Sequence, residues 1–256
     1  MNDLGGAIDG TGADTGVATE VAAAIGGIAD GNDIATEAGA AALVDRAVEQ
    51  FGKIDILVNN AGIVRWAGFP DADADNLARH VAVHVNGSFN TARAAWSHMA
   101  EQRYGRIVMT TSTGMFGLPN NSSYAAAKAA VIGLTRSVST AGAKVGIKAN
   151  LIAPAATTRM AGRGGPPGMD PALVAPMAAF LAHEDCPVTG EIYTAGGGRF
   201  ARLFIASTPG YLDQAPSIES VAANWAAVND ETGYFVPADL MEWSAAFTAH
   251  LRTNAS

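Results

Sequence analysis

Four short apolar runs, IDILVN at 54–59, RIVMTT at 106–111, IKANLIAP at 147–154 and EIYT at 191–194, alternate with stretches of helical periodicity. Runs that are apolar on both faces and separated by helices predict a parallel sheet covered on both sides. Helices are expected at 17–25, from Ala40 to the stop at Gly52, at 71–84, 88–102, 124–141 and 171–182, and a short strand at 28–32. A break is expected around Asn86-Gly87, and Gly196-Gly197-Gly198 should end the sheet. Beyond it, 217–228 and 239–251 read as two further helices.

At 256 residues the chain fits one large α/β domain, and its 49% hydrophobic content excludes disorder. A net charge of −8 without a basic run leaves nothing to attract a phosphate backbone, so no nucleic-acid partner is expected. Apolar windows are interrupted before a membrane-spanning length, and no signal peptide opens the chain, so a soluble cytoplasmic protein is expected. A single Cys186 excludes an internal disulfide and suits a reducing compartment.

The chemistry converges behind the second run. Thr110, Thr111, Ser112 and Thr113 lie at its carboxyl end, and Tyr124 and Lys128 follow, four residues apart and therefore on one helix face. Ligands of open α/β sheets bind at the carboxyl ends of strands, so a hydroxyl, a phenol and an ammonium can share a cleft.

Other patterns carry less. Gly10, Gly12 and Gly16 lack the preceding strand of a phosphate loop and read as a surface loop. Asp71, Asp73 and Asp75 have calcium-loop spacing, but Asn76 stands at the turn and Ala82 where a bidentate Glu belongs; no metal site is expected. His80 and His84 have zinc-protease spacing without the intervening Glu and read as ordinary helix residues. Arg159 and Arg163 lie in a Gly/Pro-rich stretch with the character of a loop over a site, as solvated charges or as contacts for an anionic substrate.

NNAG at 59–62, HVNGSF at 84–89, Ser112, YAAAK at 124–128 and NLIAP at 150–154 resemble, in order and context, the short-chain dehydrogenase/reductase family. The opening segment and the tail are most similar to the dehydrogenase part of the peroxisomal multifunctional β-oxidation enzyme and its bacterial relatives. The resemblance implies a Rossmann-like, doubly wound parallel sheet in three α/β/α layers over 1–198. A helical extension, 199–256, should pack on the same domain. It also implies Tyr124 as general acid/base and Lys128 as the positive charge that brings its phenol toward neutral pH. Ser112 then orients the substrate and Asn86 serves a proton relay; Thr111 is the alternative hydroxyl, because its distance from Tyr124 matches the family spacing.

The same resemblance places the cofactor against Asp3, Asp33, Ile34, Asn60, Ala61, Gly62, Pro154, Tyr124 and Lys128. Asp3 favours NAD over NADP by repelling a 2′-phosphate, unless it is simply a frayed terminal residue. The family's first strand and its TGxxxGxG loop are not matched, so the chain is expected to be N-terminally truncated by a misplaced start. The expected activity is NAD-dependent interconversion of a secondary alcohol and a ketone, on a small molecule such as a 3-hydroxyacyl thioester or a steroid-like alcohol. A homodimer or homotetramer is expected, and the rival is a truncated, non-catalytic member acting only as an oligomer subunit. A sugar-nucleotide epimerase or dehydratase is disfavoured by the short span between Pro154 and Gly190.

Overall fold

Helix capping shows how closely local sequence dictates the elements of this computed structural model, which describes residues 1–161 and 167–253. Asp14 caps α1 (Thr15–Ala24), and Thr36 caps α2 (Glu37–Phe51), which Gly52 closes in the left-handed conformation. Strand β1 (Ile56–Asn59) follows. Asp73 then caps α3 (Ala74–His80), accepting the Asn76 N–H at 2.7 Å.

From α3 the chain does not break at Asn86-Gly87, as the sequence pattern suggested. It widens into a π-helical segment, Val81–Asn86, and continues as α4 (Gly87–Gln102). Gly87 serves packing instead, since a Cβ there would fall 3.0 Å from Ile34 Cδ1. Strand β2 (Gly105–Thr110), α5 (Ser122–Gly142), β3 (Ile147–Pro154), α6 (Ala175–Leu181) and β4 (Ile192–Gly196) complete the alternation.

The sheet has five strands in the order β1-β2-β3-β4-β5, the first four parallel. Its last member, β5 (Arg199–Leu203), corrects the expected end at Gly198. Gly197 and Gly198, with φ of 56° and 78°, form a two-residue turn, and a turn that short can only return the chain antiparallel. The expected strand at 28–32 is reduced to one parallel bridge, Asn2 with Asp30, outside the sheet. The pairing there consists of Met1 N–H to Ile28 O, Asp30 N–H to Met1 O and Asp3 N–H to Asp30 O.

Two faces carry the core. Ile107, Met109 and Leu151 are fully buried on the side of α4 and α5, while Val108, Ile152, Leu181 and Cys186 cluster on the side of α6. In parallel register Val58 stands beside Val108, on the α6 side, yet Val58 and Ile56 are 50% and 49% exposed. The α6 layer therefore covers β2 to β4 and leaves β1 open on that face and along its outer edge.

The chain divides into two units, Met1–Arg202 and Leu203–Ser256, so β5 carries the first unit past the expected boundary at Gly198. The second unit holds α7 (Ile218–Ala223), α8 (Trp225–Val228), α9 (Leu240–Phe247) and α10 (Ala249–Thr253). A two-way backbone pairing of Ser207 with Phe235 and stacking of Trp243 on Phe247 at 4.8 Å hold it. Among the described residues no helix is long and apolar enough to cross a membrane.

Burial separates two substitutions of similar chemistry. Leu151→Ala, at a position with no exposure, should cost about 2–5 kcal/mol in equilibrium unfolding, whereas Val58→Thr on the open edge should cost less than about 1 kcal/mol.

Candidate active site

The loop from β2 to α5 decides which hydroxyl reaches the phenol. Thr111, 1% exposed, donates its Oγ1–H to the Lys128 carbonyl at 2.8 Å and is thereby committed to the backbone of α5. Ser112 Oγ accepts the Gly114 N–H at 3.0 Å and lies beside the Tyr124 ring, since a Cβ on Gly114 would fall 3.3 Å from Ser112 Oγ and 3.7 Å from Tyr124 Cε1. Of the two candidates, Ser112 is the one brought to Tyr124. Asn121 caps α5 by accepting the Tyr124 N–H at 3.3 Å, so the cap sets the residue that carries the phenol.

One turn on, Lys128 is 4% exposed; Nζ donates to the Thr110 carbonyl at 2.8 Å and lies 5.8 Å from the centre of the Tyr124 ring. Burial pulls this amine from 10.5 down to about 7. Burial also pushes the Tyr124 phenol up from 10.0, against a weaker downward effect of the Ser112 hydroxyl. Desolvation is the largest effect on the phenol, and an amine near 7 carries only part of its charge at neutral pH.

On the phenol's flank stands a pair that helical spacing alone read as ordinary. His80 and His84 are 0% and 1% exposed, their rings stack at 5.9 Å, and they meet the Tyr124 ring edge-on at 6.1 and 5.4 Å. Burial drives His84 from 6.5 down to about 3, with Lys128 adding to the shift, and lowers His80, so both rings are neutral. Their signal in the sequence was the shared helix face; the π-helical turn that aims it was not readable. Asn86, at the end of that turn, is exposed, so the side chain this segment sends to Tyr124 is His84.

The remaining candidates form two groups. Asn60, Ala61, Gly62, Ser112 and Pro154 lie at or just beyond the carboxyl ends of adjacent parallel strands, and Asn60 Oδ1 accepts the Thr110 hydroxyl at 3.2 Å. Asp3, Asp33 and Ile34 belong to the neighbourhood of the Asn2–Asp30 bridge. Asp3 Oδ1 accepts the Gly5 N–H at 2.7 Å, Asp33 Oδ1 accepts the Ala35 N–H at 3.0 Å, and the Ile34 carbonyl accepts from Asn90. A cavity of about 550 Å³ is lined by Ile8, Asp9, Val64, Trp66, Arg159 and Met160. Arg163 lies outside the described residues.

For a nicotinamide dinucleotide the fit is divided. Hydroxyl, phenol and buried amine beside the Asn60–Gly62 strand end suit the nicotinamide riboside. The N-terminal glycines do not form a pyrophosphate cradle. A Cβ on Gly5 would fall 1.7 Å from the Asp14 carbonyl oxygen and one on Gly10 2.9 Å from Ile63, and Asp14 Oδ1 already occupies the start of α1. A carboxylate there repels phosphate.

The four-stranded parallel core with hydroxyl, phenol and amine at its strand ends is an α/β fold of the Rossmann-like class. The model of the short chain dehydrogenase family matches residues 11–163, and the chain belongs to that family. It is 41% identical over 244 residues to a short-chain type dehydrogenase/reductase of Mycobacterium tuberculosis, covering 91% of this chain and 85% of that one. Peroxisomal multifunctional enzyme type 2 of Mus musculus is 38% identical over 94% of this chain, which spans 34% of the mouse protein. Among solved structures, full-length peroxisomal multifunctional enzyme type 2 from Drosophila melanogaster superposes with a TM-score of 0.80 at 28% identity, over 93% of this chain and 44% of that one. A short chain dehydrogenase from Mycobacterium avium superposes at 0.76 with 31% identity, over 90% and 86%. Members of the family use NAD(P), act on small molecules and commonly form oligomers.

Lys128 gives the site a pH signature. Its folded value near 7 lies below the unfolded 10.5, so between them the unfolded chain binds the extra proton and stability rises with pH. Denaturant midpoints measured at about pH 7 and about pH 9.5 should therefore rise more for the natural chain than for Lys128→Met.

Proposed function

We propose that this chain is an NAD(P)-dependent oxidoreductase that interconverts a secondary alcohol and a ketone, with Tyr124 as the group that moves the proton. The observation that carries this reading is the buried Lys128, bonded to the Thr110 carbonyl and 5.8 Å from the centre of the Tyr124 ring, at the end of a parallel strand that leads into Ser112. Ser112 orients the substrate oxygen and the phenol exchanges a proton with it. Lys128, fixed on the Thr110 carbonyl, holds the nicotinamide ribose and tunes the phenol. When bound, the nicotinamide takes or gives the hydride. Because burial keeps the phenol protonated at neutral pH, the free chain is set to donate a proton, the act required when a ketone is reduced.

Asp3 supports NAD as the preferred cofactor, by repulsion of a 2′-phosphate. The substrate class we infer is a 3-hydroxyacyl thioester or steroid-like alcohol; the cavity beside Val64, Trp66 and Met160 suits an apolar body, and Arg159 at its wall suits an anionic group. An apolar hollow of about 300 Å³ along α4 and α5, lined by Phe89, Ala92, Trp96 and Val138, supports pairing of copies into a homodimer or homotetramer. The single buried Cys186 suits a reducing compartment such as the cytoplasm.

The inward-turned glycines and the open edge of β1 favour a second reading, a non-catalytic oligomer subunit. Titration with NADH followed by an alcohol and ketone screen separates the two. Saturable binding and turnover that falls at least about 100-fold in Tyr124→Phe support the enzyme. Turnover unchanged in Tyr124→Phe would overturn the role of the phenol, and a folded oligomer that takes up no NADH would establish the subunit reading.

A further inference from the structure

The two imidazoles that meet the Tyr124 ring edge-on have no part in the chemistry above, yet they are among the most completely buried polar groups of the described residues. His80 is fully satisfied: Nδ1 lies 2.8 Å from the Asn76 carbonyl and Nε2 accepts the Arg65 N–H at 3.2 Å. His84 Nε2 lies 2.9 Å from the Ile63 carbonyl and 3.3 Å from the Ile63 nitrogen. Asn76 Nδ2 adds a bond to the Arg65 carbonyl at 3.1 Å. Three side chains of one helical stretch therefore grip the backbone of residues 63–65 while two of their rings abut the phenol.

Two further observations show that this grip is maintained at a cost. Among the described residues His84 Nδ1 is buried without a hydrogen-bond partner, an arrangement that a helix residue free to turn outward would relieve. Room for the ring also depends on Gly62, where a Cβ would fall 2.6 Å from His84 Cε1 and 3.1 Å from Nδ1. The π-helical turn Val81–Asn86 supplies the remaining condition, because it includes His84 and follows directly on His80.

We propose that His84, stacked on His80, is the positioning residue for Tyr124: a neutral ring clasp that fixes the phenol and ties it to the strand-end segment 62–65. The proposal rests on the proton-transfer role given to Tyr124 above. Neutrality suits the task, since a charged imidazole beside Lys128 would repel it, and a ring edge can restrain a phenol without competing for its proton. The clasp also links the two sides of the cleft. The segment it grips passes through Val64 and Trp66 into the wall of the 550 Å³ cavity, so the phenol and that wall are held in one register.

The test reads the phenol itself and needs neither cofactor nor substrate. The groups that bear on its titration are Ser112 from the β2–α5 loop, Lys128 from its own helix, His80 from α3 and His84 from the π-helical turn. Tyrosinate absorbance is followed across alkaline pH in the full chain, with Tyr124→Phe subtracted to isolate Tyr124. In His84→Ala, water enters beside the ring and the titration should move down toward the ordinary value near 10, whereas His84→Phe, which keeps a ring there, should stay close to the natural chain. In turnover assays His84→Ala should lose about 10- to 100-fold in kcat with KM for NADH changed less than about twofold, and His84→Phe should recover most of it. An unmoved phenol titration in folded His84→Ala overturns the clasp even if the chain is an active dehydrogenase. A moved titration in a chain without turnover keeps the clasp and sinks the enzyme reading. If neither variant folds, the natural chain decides: Tyr124 ring protons shifted by the two imidazoles in spectra of tyrosine-labelled protein support the clasp, and unshifted, freely flipping ring protons overturn it.

Discussion

A single bond, Lys128 Nζ to the Thr110 carbonyl, ties the carboxyl end of β2 to α5, and the rest of the site is arranged around it. Holding an amine at 4% exposure is costly; the fall from 10.5 to about 7 corresponds to roughly 5 kcal/mol of lost preference for the charged form. The chain sustains this because the same helix is fastened at other points. Thr111 bonds the Lys128 carbonyl, Asn121 caps the first turn, and Ala127, Val131 and Thr135 are buried along its length. A folded core thus pins the amine where water cannot reach it, and Tyr124, three residues into the same helix, is desolvated with it.

What was legible in the sequence follows from period and local chemistry. The runs at 54–59, 106–111, 147–154 and 191–194 became β1 to β4 because their apolar residues on both faces demand two covering layers, and the parallel order follows from the intervening helices. Tyr124 and Lys128 were legible as one face of a helix, and Ser112 as a strand-end hydroxyl. Long-range packing hid the rest. No periodicity announces a π-helical turn, so His84 was set aside and Asn86, two residues on and exposed, was preferred. Strand β5 was hidden because Gly196, Gly197 and Gly198 read as an end, whereas their positive-φ pair is what a tight hairpin requires. The choice between Ser112 and Thr111 turned on hydroxyl orientation, visible only once Thr111 was seen bonded to α5.

The two ends of the cleft are built differently. At the Tyr124 end Asn76 Oδ1, His84 Nδ1 and Asn121 Nδ2 are buried without a hydrogen-bond partner among the described residues, and the glycine that matters, Gly62, is there to admit an imidazole. At the other end the N-terminal glycines fold the loop upon itself, the Ile8 carbonyl accepts the Val64 N–H at 2.8 Å, and Asp14 caps the helix that a phosphate would otherwise approach. Next to that loop β1 leaves Ile56 and Val58 half in water and its outer backbone edge without a strand. An open edge in a sheet of this kind is a place where pairing energy is still available. Any dinucleotide must therefore draw most of its affinity from contacts other than a glycine-rich turn in this loop.

The ionisation of Tyr124 is set by the same burial that hides Lys128. Were the amine fully charged and the phenol wet, Coulomb attraction would lower the phenol and favour its action as a base on an alcohol. Here desolvation acts on both groups at once, raising the phenol and lowering the amine, so each is held toward its neutral form. A charge brought into the cleft alters that balance, because a positive ring near the phenol favours its ionised form just as Lys128 would if fully charged. Burial thus holds the phenol and the amine of this face toward their neutral forms together, and a change in the charge around either one shifts both.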